Sequence, residues 1–290
     1  MRSHPLAPYV WMLLGSLAFS VMAALTHALG DTFDWRLIAS VRTFLAMSFA
    51  AGLTLAAGQK LVFFRPGTLW VRSIAGSVSL VCTFYALTKL PVADVLTLTN
   101  VFPIWVAMLS WPVLGELPGK EAWGAIAIAM AGVALVEKPH LDSEGLPGLL
   151  ALVSSFSTAI SMLGLHRLQA VDPRAIVTHF SAVALAVCIA SLALFPNPDT
   201  FSLTAGDVAM LLGVGIAATI GQVFLTKAFA AGPPARVSVV ALTQVVFAMG
   251  FDIVLWHHAF SLTTLAGMAL VMAPVAWLLF SQSRLPRFSE

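Results

Sequence analysis

The sequence predicts an all-α membrane protein of ten transmembrane helices, built as two inverted five-helix repeats with both termini cytoplasmic. Three observations carry that prediction. Apolar runs of about 20 residues fill nearly the whole chain, each long enough to cross the roughly 30 Å hydrocarbon core of a bilayer. Lys and Arg gather in alternate gaps between the runs. The most polar stretch, Glu137 to Gly145, divides the runs into five and five, and an odd number per half requires any repeat to be inverted across the membrane. A hydrophobic fraction of 59%, a charged fraction of 10% and a mean hydropathy of +0.94 exclude a soluble helical domain.

The first span, 8–28, lacks the small-residue cleavage site of a signal peptide and is read as membrane-spanning. Spans two and three, 35–57 and 67–88, flank a gap carrying Lys60 and Arg65. Span four, 92–114, contains Pro103 and Pro112; each removes a backbone donor, so both are predicted kinks. Span five is 119–137. The second half reads as 146–168, 173–195, 204–229, 234–257 and 262–281, with Pro147, Pro196, Pro198, Pro233 and Pro234 at or between span ends. The expected organisation is a first repeat at 1–138, a central polar loop at 139–145 and a second repeat at 146–290. A shift of 137 sets Phe19-Ser20 on Phe156-Ser157 and Arg42 on His179. A shift of 142 sets Leu90-Pro-Val-Ala-Asp-Val95 on Gly232-Pro-Pro-Ala-Arg-Val237.

With the N-terminus inside, the inner gaps and span ends collect Arg2, Lys60, Arg65, Arg72, Lys120, Arg167, Arg174, Lys227, Arg236, Arg284 and Arg287, against Arg36, Lys89 and Lys138 outside. The net charge of +2 is thus a matter of topology and indicates no nucleic-acid partner. Cys82 and Cys188 fall within spans and make neither a disulfide framework nor a metal knuckle.

Tyr85-Ala-Leu-Thr-Lys-Leu-Pro-Val-Ala-Asp-Val95, running on to Pro103-Ile-Trp-Val-Ala107, resembles the core of the EamA-type module of the drug/metabolite transporter superfamily. Gly115-Glu116 resembles the Gly-Glu that closes the module, and Trp123-Gly124 through Ala131-Gly132 its fifth helix. Lys227-Ala-Phe-Ala-Ala-Gly-Pro-Pro-Ala-Arg-Val-Ser238 resembles the same signature in the second half. The resemblance runs end to end as two modules. It implies a central cavity lined by spans one to four and six to nine, spans five and ten at the periphery, and secondary transport of small organic solutes, often outward. It also implies a multi-pass protein of the bacterial inner membrane. The chain departs from the pattern at His257-His258, where the first half has Gly115-Glu116, and at Val245, where it has Pro103.

Within the spans, polar residues mark a candidate solute path. Ser16, Ser20, Ala23 and His27 form one stripe of span one; Ser154, Ser157, Thr158 and Ser161 answer on span six. The bland reading of both is close helix packing with hydroxyls bonded to their own backbone. Asn100 beside Pro103, with Trp105 and Tyr85, offers an amide, freed carbonyls and aromatic faces; a kinked packing helix is the alternative. Gln222 and Gln244 are further intramembrane amides that suit a neutral or zwitterionic solute, or that bond to one another. Arg42, roughly 9 Å in from the end of span two by helical rise, and Asp252 lie at similar depth and are expected to pair at an outer gate or as an ordinary structural pair. His179, with Asp252, is the candidate for proton coupling, although neither sits at the midplane. The candidate substrate-binding set is therefore Ser20, Tyr85, Asn100, Trp105, Ser157, Ser161, Gln222 and Gln244, with Arg42, Asp252 and His179 in gating or coupling.

No HExxH, GxSxG or GxxxxGK[ST] occurs, so an enzyme, a metal site and a cofactor are not expected. The partners expected are a small-molecule substrate and the lipid bilayer, with a possible homodimer through the small-residue-rich spans five and ten. The expected function is alternating-access transport of a small polar or amphipathic metabolite, first an amino acid or derivative, exported. Uptake of a flat aromatic vitamin or nucleobase such as riboflavin is the alternative, and a non-transporting helper subunit the alternative of another class.

Overall fold

The computed structural model describes residues 5–29, 33–87, 89–90, 92–138, 145–194, 203–256 and 261–283, without the side chains of Leu87, Val92, Ala93, Leu194, Asp252, Trp256, Gln282 and Ser283. His257-His258 and all of the central loop but Gly145 lie outside the described residues.

Apolar runs in a low-dielectric solvent must satisfy every backbone group internally, and among the described residues the chain is helical with no strand. In order these are α1 (Ala7–Leu29), α2 (Trp35–Ala56), α3 (Gly67–Leu87), α4 (Val92–Thr99), α5 (Phe102–Leu114), α6 (Lys120–Glu137), α7 (Leu146–His166), α8 (Pro173–Leu194), α9 (Ala205–Ala231), α10 (Pro234–Ala241), α11 (Thr243–Trp256) and α12 (Leu262–Ser283). Nine segments among the described residues are long and apolar enough to cross a membrane, counting α4 with α5 and α10 with α11 as one each. α6 falls short of that measure because its 18 residues include Lys120, Glu121 and Glu137 at the ends.

Matching helix starts betray the internal repeat. Asp34 accepts from the Arg36 amide at 2.7 Å and pairs with its guanidinium at 2.9 Å. Asp172 does the same for Arg174 at 2.8 and 2.8 Å, opening α8 behind Pro173 at its first position. These two caps fix the offset here at 138, so the counterpart of Arg42 is Phe180. His179, one residue away, is not that counterpart; one residue on a helix turns a side chain by about 100°. The Arg174 hydrogen bond holds the Asp172 carboxyl below its ordinary value of 3.8. Asp172→Asn, which keeps a capping oxygen but loses the ion pair, is therefore expected to cost about 0.5 kcal/mol at pH 7. That difference is present above the ordinary carboxylate pKa and fades as the pH falls through the depressed one, which thermal unfolding across pH 3–7 would read.

Helix partners also come in exchanged pairs: α1 packs on α9 as α7 packs on α3, α1 meets α11 as α7 meets α5, and α2 lies against α8 and α6 against α12. On α9, Gly213 and Gly221 admit Leu25 and Phe19 of α1; a Cβ there would lie 2.9 and 2.8 Å from those side chains. The α6–α12 seam is closer still. A Cβ on Gly132 would sit 2.7 Å from the Gly267 carbonyl oxygen, and one on Gly267 2.7 Å from that of Gly132. Gly132 and Gly267, among the small residues of spans five and ten, thus meet each other within one chain.

Both halves interrupt a span at the same place, 142 residues apart. α4 ends at Thr99 and α5 begins at Phe102, with Pro103 at its second position; Pro112 lies inside α5, which continues through it. α10 ends at Ala241 and α11 begins at Thr243 with no proline. There, Thr243 Oγ1 donates to the Val240 carbonyl at 2.7 Å, and the Val245 amide turns to Leu242 at 3.1 Å. Ser16 of α1 donates to the Ala241 carbonyl at 3.3 Å, and Ser20 to that of Gln244 at 2.9 Å.

Candidate substrate cavity

The bundle encloses a cavity of about 830 Å³ between α1, α2, α3, α7, α8 and α9, with Leu96 of α4 and Ala248 of α11 at its edge. That size suits a small organic solute. His27, Trp35, Thr83 and Phe84, at the finishing ends of α1 and α3 and the start of α2, line it and are partly or fully accessible. Ser20, Arg72, Ser161, Phe180 and Gln222 line its far part and are buried. The accessible residues mark the mouth.

Its rim is aromatic. Trp35 and Phe84 stack with ring centroids 4.7 Å apart and an interplanar angle of 12°. A hydroxyl ladder runs down the α3–α7 wall: Thr83 to Ser154 at 2.6 Å, Ser154 to Ser79 at 2.9 Å, and Ser79 to Thr158 at 2.6 Å.

The floor is cationic. Arg72 is 1% exposed, with its guanidinium carbon 3.9 Å from the centre of the Phe180 ring. Its Nη1 donates to Ser161 Oγ and its Nη2 to Gln222 Oε1, each at 3.2 Å, while Nε has no partner among the described residues. Ser161 Oγ donates in turn to the Arg72 carbonyl at 3.0 Å. Room for this side chain comes from Gly76 one turn on, where a Cβ would fall 2.7 Å from Nη1 and 2.8 Å from Phe180. Arg42 lines the same cavity, half-buried, with no hydrogen bond or ion pair to a described residue. Among the described residues the lining holds no carboxylate.

The opposite end is crossed by polar contacts. His166 Nε2 lies 3.6 Å from Glu116 Oε1, and its Nδ1 is 3.0 Å from the Phe229 carbonyl oxygen. Arg167 donates to the Val113 carbonyl and Arg174 to that of Leu53 at 3.2 Å; Arg236 meets Glu121 at 3.5 Å.

Of the residues expected from sequence, Ser20, Ser161, Gln222 and Arg42 come together in this cavity. Tyr85, Asn100, Trp105, Ser157 and Gln244 do not line it. Tyr85 is 38% exposed. Asn100 is half-buried at the α4–α5 interruption, and Gln244 gives its backbone carbonyl to Ser20. Trp105 Nε1 donates to Ser155 Oγ at 3.0 Å and its ring meets Phe156 edge-on at 5.5 Å, so it locks α5 to α7. Trp105→Phe is expected to lower stability by about 1 kcal/mol, the net worth of one hydrogen bond, with transport per folded molecule unchanged in a vesicle assay. His179 is buried away from the cavity, its Nδ1 2.8 Å from Ser73 Oγ and its Nε2 3.1 Å from the Phe63 carbonyl oxygen. The Asp252 side chain lies outside the described residues, and with it the expected pair to Arg42. Arg72, Trp35 and Phe84 were missed. The available signal was an arginine inside an apolar run with glycine four residues later.

A sequence profile described as the EamA-like transporter family matches residues 6–137 and 146–280, one module in each half. The chain belongs to that family. A pseudopaline exporter, CntI, of Pseudomonas aeruginosa is 29% identical to this EamA-like protein over 261 residues, covering 89% of this chain and 91% of that one. A riboflavin transporter of Rhizobium johnstonii is 24% identical over 234 residues, 79% of this chain and 76% of that one. A solved crystal structure shares the fold of the EamA-like chain with a TM-score of 0.83 at 18% identity, covering 96% of this chain and 98% of that one. The family is one of multi-pass membrane transporters, not enzymes.

Proposed function

We propose that this EamA-like protein is a secondary transporter of the bacterial inner membrane that exports an amino acid or amino-acid derivative by alternating access. In this reading it has ten spans, two inverted repeats and cytoplasmic termini. The observation that carries it is the cavity: about 830 Å³, polar at its floor, aromatic at its rim, and set between helices that pair in exchanged fashion. With the N-terminus inside, the rim residues lie at the outer ends of their helices and the Glu116–His166 and Arg167–Val113 contacts at the inner ends. The structure then corresponds to an outward-facing state with its inner side shut. The exporter relative supports the direction. A homodimer would need a surface other than the α6–α12 seam.

A second reading, movement of a flat aromatic solute, is favoured by the Trp35–Phe84 stack and by the riboflavin transporter among the relatives. Proteoliposomes loaded with a mixed pool of amino acids, acylated amino acids, vitamins and nucleobases separate the two. Selective release of amino-acid solutes is expected. Release of riboflavin or nucleobases alone would favour the second reading, and no release from folded protein would leave a helper subunit.

A further inference from the structure

Resting on the transport reading, we infer that the solute is a carboxylate-bearing organic anion gripped by two arginines, Arg72 at the floor and Arg42 on the wall. Arg72 is 1% exposed and bonded only to neutral oxygens at 3.2 Å, with Nε unpartnered. A guanidinium carries its charge at neutral pH, and its fork of donors matches a carboxylate better than a serine hydroxyl or an amide. Two other arginines near span ends have carboxylates beside them, Arg36 with Asp34 and Arg174 with Asp172, while Arg167 turns to the Val113 carbonyl. Arg42 and Arg72 have none among the described residues, and both line one cavity. Two unpaired cations in a low-dielectric space are a costly arrangement unless a ligand brings the counter-charge.

The same chemistry addresses energy supply. An anion leaving a cell moves down the inside-negative membrane potential, so export needs no second ion. His179, the one histidine buried within the described spans, is held by Ser73 and Phe63 away from the cavity. Gln222 and Ser161 hold the Arg72 fork in place, and the Trp35–Phe84 stack would cover the apolar part of the solute.

The test loads proteoliposomes with a matched set: N-acetylglutamate, its mono- and diamide, phenylalanine and riboflavin. Efflux is followed at zero potential and at an imposed inside-negative potassium diffusion potential. We expect N-acetylglutamate to leave at least tenfold faster than its diamide and faster again under the potential. Arg42→Gln should erase most of that preference and Arg42→Lys should retain it, with both proteins monodisperse by gel filtration. Efflux of phenylalanine, riboflavin or the diamide at equal or greater rate, indifferent to potential and to Arg42→Gln, would overturn the anion inference and leave the transporter reading standing. No efflux of any solute from monodisperse protein would overturn both.

Discussion

Arg72→Met is expected to yield a protein that folds at least as well as the parent and transports about 100-fold more slowly. The two halves of that result have separate causes. An arginine at the centre of a span costs roughly 2.5–3.5 kcal/mol on insertion scales, and Arg72, the sixth residue of α3, costs part of that. Against it stand two long hydrogen bonds to Ser161 and Gln222, worth about 1 kcal/mol each, and the face of Phe180. Methionine keeps the length and a sulfur–aromatic contact while removing the buried charge. Replacing a buried ion by an apolar side chain of similar shape is often neutral or stabilising. Function takes the loss, since the floor of the cavity no longer offers a cation; 100-fold is about 2.7 kcal/mol, a normal figure for one charged contact. Thermal unfolding in detergent and efflux per folded molecule would be read on the same preparation. A large fall in the midpoint with efflux intact would make Arg72 a strut between α3, α7 and α9.

Gly132→Val should give the reverse split. The new Cβ would stand 2.7 Å from the Gly267 carbonyl oxygen and 2.8 Å from the Val271 amide nitrogen, and backbone cannot turn aside as a side chain can. α6 and α12 must therefore part along their seam, at a cost of about 3 kcal/mol, the upper part of the range for overpacking. Neither helix lines the cavity, so whatever protein remains folded should transport at the parental rate. The measurement is the denaturant midpoint together with efflux normalised to folded protein. An unmoved midpoint would mean that the seam tolerates separation, and would reopen the small residues of α6 and α12 to a second subunit.

Most of the architecture was legible because it depends on length and hydropathy alone. The runs at 8–28, 35–57 and 67–88 became α1, α2 and α3 almost unchanged. Span ends could be read from Pro147 and Pro234, each at the start of a helix. The interruption at Ala241–Thr243 was not legible, since it is made by hydrogen bonds from another helix rather than by a residue that forbids continuation. Arg72 illustrates the same limit at the cavity. Counting loop charges places an arginine near a span end at the membrane surface. Whether it turns outward or inward depends on the rotation of α3 against α7 and α9, which only tertiary packing sets. Neither Trp105, between Ile104 and Val106, nor Trp35, between Asp34 and Arg36, shows in sequence which neighbour its indole meets. One became a pin between helices and the other the lip of a cavity. Of the stripe Ser16, Ser20, Ala23 and His27, the last three line the cavity, while the hydroxyls of Ser16 and Ser20 go to backbone carbonyls as the packing alternative has it.

The unequal interruptions in the two halves imply unequal moving parts. Pro103 has no amide to give, so the Thr99 carbonyl gains no partner four residues on, however its surroundings rearrange. Every residue from Val239 to Val245 has an amide, and the carbonyls at the gap between α10 and α11 are held by Thr243 from within and by Ser16 of α1 as a visiting partner. If α1 withdraws, the Ala241 carbonyl loses its partner, and its nearest replacement is the Val245 amide now engaged by Leu242. Two half-length cylinders would then anneal into one rod. The first interruption is thus a fixed elbow and the second a latch, and the two differ in what can undo them.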